Sequence, residues 1–216
     1  MSQLKKTDLT TIKRAPDRGS FDLDTIHAIL DATPLCHIGY MVNEQPIVTP
    51  TIHWREGNQI YWHGSRISRT LVESEQAPVC LTVTHLDGLV LARSAFHHSA
   101  NYRSVMVFGR PTFIEDRFEK TAALTALIDK MLPGRWDTLR EMTEKEFAAT
   151  SVLSLPLSEA SAKIRAGGPS DLDSDLDFPV WAGVLPLTTV TSNPVPCPHN
   201  QTTIKTPDSL KDYQIG

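Results

Sequence analysis

Cysteine is scarce: 216 residues carry only Cys36, Cys80 and Cys197. Three thiols leave one unpaired under any scheme, and no CxxC spacing occurs. A disulfide-stapled scaffold and a CxxC zinc or redox motif are thereby excluded, and reduced core thiols in a reducing compartment are expected. Long hydrophobic runs are missing as well, none nearing the ~20 residues that cross a bilayer. The opening MSQLKKTDLTTIKR has no apolar stretch of the kind a signal peptide needs. A soluble, cytoplasmic protein with no membrane partner is expected. Positive charge is not in excess: 21 Lys+Arg face 25 Asp+Glu, for a net charge of −4. The basic residues form no stripe interleaved with aromatics, so nucleic acid is not an expected partner. Any phosphate-bearing ligand must meet a local cluster of cations.

Motifs are missing too. No GxGxxG or GxxxxGK[ST] string occurs, which argues against a dinucleotide-type doubly wound sheet and a P-loop. The absence of GxSxG disfavours a serine hydrolase. The acidic stretch 171–177 (DLDSDLD) lacks the glycine and terminal glutamate of an EF-hand and reads as a solvated loop. His53, His63, His97 and His98 match no zinc or facial-triad spacing, so no metal is expected.

What is present suits one sizeable core, since 40% of residues are hydrophobic. Residues 1–20 are polar and read as an N-terminal arm. Residues 20–33 carry Phe21, Leu23, Ile26, Ile29 and Leu30 at helical spacing behind the cap candidates Ser20 and Asp22. Strand-like runs follow at 35–42, 47–54 and 59–63, the last two joined by turn residues 55–58. Pro50 inside the second run marks an edge, a bulge or a split strand. A short helix is expected over 66–75, a strand over 78–85 closed by Asp87-Gly88, and its hairpin continuation over 89–92. A long strand over 102–114 comes next. A helix capped by Asp116 should reach Met131, with a second helical piece over 137–147. Strands 151–157, 161–165 and 180–187 complete a domain spanning 21–187. The tail, 188–216, shows no periodicity and is expected to be disordered or to drape over a surface. Short antiparallel strands with few helices predict a mainly β, α+β domain built on a barrel.

Two segments suit a phosphate. Trp62-His63-Gly64-Ser65-Arg66-Ile67-Ser68-Arg69 leaves a strand, turns on glycine and opens a helix. Its hydroxyls, unpaired N–H groups and guanidinium forks match phosphate oxygens. Plain N-capping by Ser65 with two solvated arginines explains the same string equally well. In Asn101-Tyr102-Arg103-Ser104-Val105-Met106-Val107-Phe108, Tyr102 and Ser104 share a face and Arg103 lies on the other. Apolar residues on both sides then suggest burial of both faces. Arg103 therefore needs a partner, either a phosphate or, more simply, a carboxylate such as Glu115 or Asp87. Trp181, flanked by small residues, reads as core packing or as the cap of a flat ring or a subunit boundary.

Taken in order, these segments resemble the FMN-binding split-barrel superfamily of pyridoxamine 5′-phosphate oxidase, nearest its flavin-nucleotide-binding and nitroimidazole-resistance (Nim-type) branch. The likeness runs from about His27 to Leu187. It is carried by Pro34–Ile38, Val48–Thr51, Ile60–Ser65, Asn101–Gly109, Thr150–Val152 and Trp181–Gly183. The resemblance implies a six-stranded antiparallel split β-barrel with flanking helices, a homodimer, and FMN at the interface. It implies that backbone groups of Thr51, Ile52 and His53 line the flavin ring. His63, Ser65, Arg66 and Arg69 would surround the phosphate, with Tyr102, Arg103 and Ser104 closing the site, and Trp62 and Trp181 are counted among the cofactor-binding residues. His63 takes the place of the histidine near the flavin and is the candidate catalytic residue. The implied function is an FMN-dependent oxidoreductase acting on a small molecule, with nitro reduction as a candidate reaction. The alternative is a non-catalytic flavin- or haem-binding module. Pyridoxamine phosphate oxidation itself is disfavoured, because the basic string and C-terminal arginines of those enzymes are not found.

Overall fold

The structure is a computed structural model describing residues 2–201, 203–210, 213 and 215. Strand β1 (Gly19–Ser20) precedes helix α1 (Leu23–Asp31). Asp22 caps α1 by accepting from the Thr25 N–H at 2.9 Å, and Leu23, Ile26, Ile29 and Leu30 face the core. Strands β2 (Leu35–Val42) and β3 (Gln45–Glu56) form a hairpin. Its turn residues, Asn43 and Glu44, both have positive φ (47° and 63°), which matches the twist of the flanking strands. Then come β4 (Gln59–Ser65), α2 (Arg69–Ser74), β5 (Val79–Leu91), β6 (Ser99–Gly109) and β7 (Thr112–Phe113). Helices α3 (Arg117–Met131) and α4 (Glu144–Ala149) are followed by β8 (Thr150–Pro156), β9 (Ala160–Arg165) and β10 (Gly183–Pro186).

The ten strands form one open antiparallel sheet in the order β1-β9-β6-β5-β2-β3-β4-β8-β7, with β10 on β5. The split barrel expected from the sequence is therefore the fold, though short β1, β7 and β10 take the strand count past six. The split lies in β3: residues 45–52 pair with β2, and 53–56 pair with β4. Pro50 sits in the half bonded on one side alone, where its missing N–H costs nothing. Inside the barrel, Ile26 and Leu30 pack on Ile38, Trp62, Leu81 and Val105, all with no exposed surface. A second core lies on the other face of β3-β4-β8, where α3 sets Ala123, Leu124 and Leu127 against Trp54 and Val152.

Three local expectations are corrected. Asp87-Gly88 does not close a hairpin; β5 runs through it with a bulge, pairing Leu86 with Tyr102 and Gly88 with Asn101. At that point the outer neighbour of β5 changes from β2 to β10, so the strand continues instead of reversing. Strand β6 buries one face: Val105 and Val107 are sealed while Met106 is 42% exposed. The helix expected over 137–147 divides into a 3-10 turn at Trp136–Thr138 and α4, because a Thr143–Glu146 capping box starts the helix there. The arm lies along the barrel, with the Leu4 N–H on Phe21 O and the Leu23 N–H on Ser2 O. Past Leu187 the described residues form no strand or α-helix, only turns at 198–199 and 203 and a 3-10 turn at Asp208–Leu210. It is anchored by the Leu187 N–H on Asp87 O.

Candidate functional site

Strand β4 ends at Ser65, and the chain turns by donating the Arg66 N–H to Ala149 O and the Ser68 N–H to Ser65 O, at 2.9 and 2.8 Å. Ser68, not Ser65, stands at the N-cap of α2, and its hydroxyl makes no capping bond. With six residues α2 offers little dipole, so the charge of this turn comes from its arginines. Ser65, Arg66 and Arg69 are exposed. Arg66 enters none of the ion pairs among the described residues. It borders a cleft of about 420 Å³ together with Glu115, Lys120, Phe147 and Ser151.

Lys120 was not singled out from sequence, although it occupies the apolar stripe of α3 at spacing 120, 123, 124, 127; a lysine there is a legible signal. Its ammonium donates to Phe147 O at 2.8 Å and lies 4.2 Å from the centre of the Phe147 ring. Burial lowers its pKa; Glu115 opposes this, while Arg66 and Arg117 push it further down. On the other side of the turn, Tyr40 Oη lies 3.3 Å from both Thr49 Oγ1 and Thr70 Oγ1. Burial alone would raise the tyrosine pKa, but these hydroxyls and the Arg69 guanidinium outweigh it and lower it. Hydroxyls and cations thus flank the turn on both sides, which suits a phosphate.

The remaining candidates fall into separate places. Thr51 and Ile52 are half-buried on β3. His53 is sealed: its N–H goes to Pro34 O, Nδ1 faces the same carbonyl at 3.0 Å, and Nε2 faces Leu30 O at 3.1 Å. Burial lowers its pKa to about 4 against the pull of both carbonyls. Neither its side chain nor its N–H can meet a ligand. Trp62 is sealed in the barrel core. His63 is half-buried, its ring centre 6.0 Å from that of Trp54, with Nδ1 buried and without a partner among the described residues. Burial lowers its pKa.

Arg103 is held by the Asp87 carboxylate, with Nη2–Oδ1 at 2.9 Å and Nε–Oδ2 at 3.0 Å, so the carboxylate reading of this residue is the correct one. The Ser104 hydroxyl donates to Lys163 O at 3.3 Å, and Tyr102 is half-buried. Within one chain, β5 and β2 lie between β6 and β3, so this motif does not flank the Arg66 turn. Trp181 is not core: it is 68% exposed and folds over Gly183, where a Cβ would come within 2.7 Å of its ring.

The outer face of the sheet is apolar and open. Val48 on β3, Leu35 and Met41 on β2, and Met106 on β6 are 65%, 49%, 53% and 42% exposed. Their registers place them on the same face. No helix among the described residues is long and apolar enough to cross a membrane.

The flavocytochrome Anf3 from Azotobacter vinelandii is 44% identical, with a TM-score of 0.94 over 97% of this chain and 98% of that one. An FAD and heme binding protein from Mycobacterium smegmatis is 36% identical, with a TM-score of 0.85 over 90% of this chain and 96% of that one. A candidate 5-nitroimidazole antibiotic resistance protein from Bacteroides thetaiotaomicron VPI-5482 shares the fold at 22% identity and a TM-score of 0.54, over 66% of this chain and 84% of that one. Curated protein sequences give no match. The family model for pyridoxamine 5′-phosphate oxidase matches residues 22–164. The chain belongs to the pyridoxamine 5′-phosphate oxidase family of split-barrel proteins.

Proposed function

We propose that this protein binds a flavin nucleotide, with a phosphate at the Ser65–Arg69 turn and the ring at the seam of a homodimer. The observation that carries this reading is Arg66, a guanidinium with no carboxylate partner among the described residues, set beside Lys120 and the Arg69–Tyr40–Thr49–Thr70 cluster. The residues fit the group: Ser65, Arg66 and Arg69 would hold phosphate oxygens, and Thr51 and Ile52 would border the ring. The phosphate contact is common to FMN and to the FMN half of FAD. FMN follows from the sequence resemblance, FAD from the M. smegmatis relative; chromatography of heat-released cofactor separates them. The open face bearing Val48 and Met106 supports the homodimer.

A bound flavin supplies hydride and electron transfer; the protein supplies orientation and electrostatics. His63, kept neutral by burial and with a free ring nitrogen, is the residue we assign to hold a proton near the ring. On this reading the protein is an oxidoreductase for a small electron-poor molecule, working in the cytoplasm. The decisive experiment is flavin retention after dialysis. Arg66→Ala with Arg69→Ala should lose most of the flavin, each removed charged contact costing about 1.5–3 kcal/mol. Unchanged occupancy would overturn the phosphate assignment. Bleaching of the flavin by NAD(P)H or another donor, and its recovery with a nitroimidazole, tests turnover.

A second reading adds haem to the flavin. It rests on the two relatives that cover 97% and 90% of the chain, one a flavocytochrome and the other an FAD and heme binding protein.

A further inference from the structure

We propose that the groove between α3 and α4 takes the adenine ring of a flavin dinucleotide, which makes FAD the flavin of this protein; this rests on the flavin reading above. The groove measures about 860 Å³, within the roughly 300–1,000 Å³ of cofactor pockets. Phe118 and Leu124 of α3, Trp136, Leu139 and Met142 of the connecting segment, and Phe147 of α4 give it its apolar lining.

The charges of the groove select a neutral guest. Arg117 and Arg140 border it, but the Glu144 carboxylate takes both terminal nitrogens of the first and the Glu146 carboxylate both of the second. Thr121 and Thr125 turn their hydroxyls back onto the carbonyls of Arg117 and Thr121. What remains for a ligand is a set of aromatic and aliphatic faces with Glu141 beside them. Its carboxylate enters no ion pair among the described residues. A purine matches this lining: its faces stack on aromatic rings and its amino group donates to a carboxylate.

Continuity with the phosphate turn selects adenine among neutral aromatic rings. Phe147 is a wall of the groove and also of the cleft at Arg66. Its ring centre lies 4.6 Å from the Arg117 guanidinium carbon and 4.2 Å from the Lys120 ammonium. The Arg66 N–H bond to Ala149 O ties the phosphate turn to the residue that ends α4. Arg66 and the buried Lys120 enter no ion pair among the described residues. Glu75 and Glu115 border the same cleft, so a second phosphate is favoured only along its Arg66–Lys120 wall. Unpaired cations in one cleft and neutral aromatic faces in the next, sharing one ring, follow the order of a dinucleotide, diphosphate and then base. FMN ends at its phosphate and would leave the groove unused.

The test is a competition on the full-length protein. The protein is dialysed against an equimolar mixture of FAD and FMN, and the flavin it keeps is released by heat and separated by chromatography. Wild type should keep FAD over FMN by about tenfold, within what stacking one base on an aromatic side chain contributes. Ala122→Trp fills the groove from an exposed position on α3, and Leu139→Asp puts a charge on an exposed part of its lining. Each should bring the two flavins to parity while total flavin stays at the wild-type level, which also reports that the fold is kept. Parity in wild type, a preference that neither variant moves, or loss of both flavins in both variants would overturn the adenine assignment and leave the flavin reading standing. A wild-type protein that takes up neither flavin would overturn both.

Discussion

At the residue scale, His53 shows how a motif can place a residue correctly and misjudge its work. The Thr51-Ile52-His53 string suggests ligand contact, but its backbone N–H on Pro34 O and its ring against the carbonyls of Pro34 and Leu30 commit the histidine to joining α1, the α1–β2 turn and β3. With its pKa depressed from 6.5 to about 4, the unfolded chain binds more protons between those values. The contribution is therefore fully present above pH 6.5 and is lost as pH falls toward 4, with an upper bound of roughly 3 kcal/mol. Urea midpoints at pH 7.5 and 5 should differ in wild type and differ much less in His53→Gln; the residual slope belongs to His63, which burial shifts the same way. The cysteines allow a simpler check. Cys36 is sealed and its pKa is pushed up to about 12, Cys80 is half-buried and also raised, and Cys197 is exposed. Alkylation of the native protein, read by peptide mass mapping, should label Cys197 first and Cys36 only on unfolding.

At the element scale, helices α1 and α3 are legible in the sequence, as is the β3–β4 hairpin, while the continuation of β5 is not. Caps and 3.6-residue spacing are local, so Asp22 and Asp116 open α1 and α3 as their sequence context indicates. Asp116→Ala removes the bond from the Glu119 N–H at 2.9 Å. It should cost about 1 kcal/mol, visible as a lower thermal midpoint with α3 intact. Asp87-Gly88 has the residues of a hairpin turn and forms a bulge instead, because pairing with β6 on one side and β10 on the other continues past it. Gly88 is essential there for close approach: a Cβ would lie 3.0 Å from Leu185 O and 3.1 Å from Val184 Cγ1. Gly88→Val should detach β10 and expose residues after 183 to limited proteolysis while the barrel core persists. Intact resistance would show that β10 is not held by this contact.

At the scale of the whole molecule, the open face is the feature that a single chain leaves unfinished. Val48 on β3 and Met106 on β6 flank an apolar surface spread over β3, β2, β5 and β6. Placing a charge there should split a homodimer without disturbing either core. Met106→Glu should shift the mass measured by light scattering from dimer to monomer and release flavin in parallel. A dimer that survives this change would place the interface elsewhere.

The sequence by itself determined the family, the barrel class, helices α1 and α3 with their caps and the cluster of arginines and serines after β4. Each of these is written in local pattern or in the order of motifs. The tertiary structure decided which charges are free. Arg66 and Arg103 look alike in the chain, yet the bulge turns Asp87 onto Arg103, while Arg66 enters no ion pair among the described residues. Likewise His53 is closed by carbonyls from α1 and the turn after it, whereas His85 is fixed on one side and borders a cleft walled by a tail a hundred residues away. Whether a polar side chain is spent or available depends on the groups that long-range pairing brings within hydrogen-bond distance, and spacing along the chain carries no record of that.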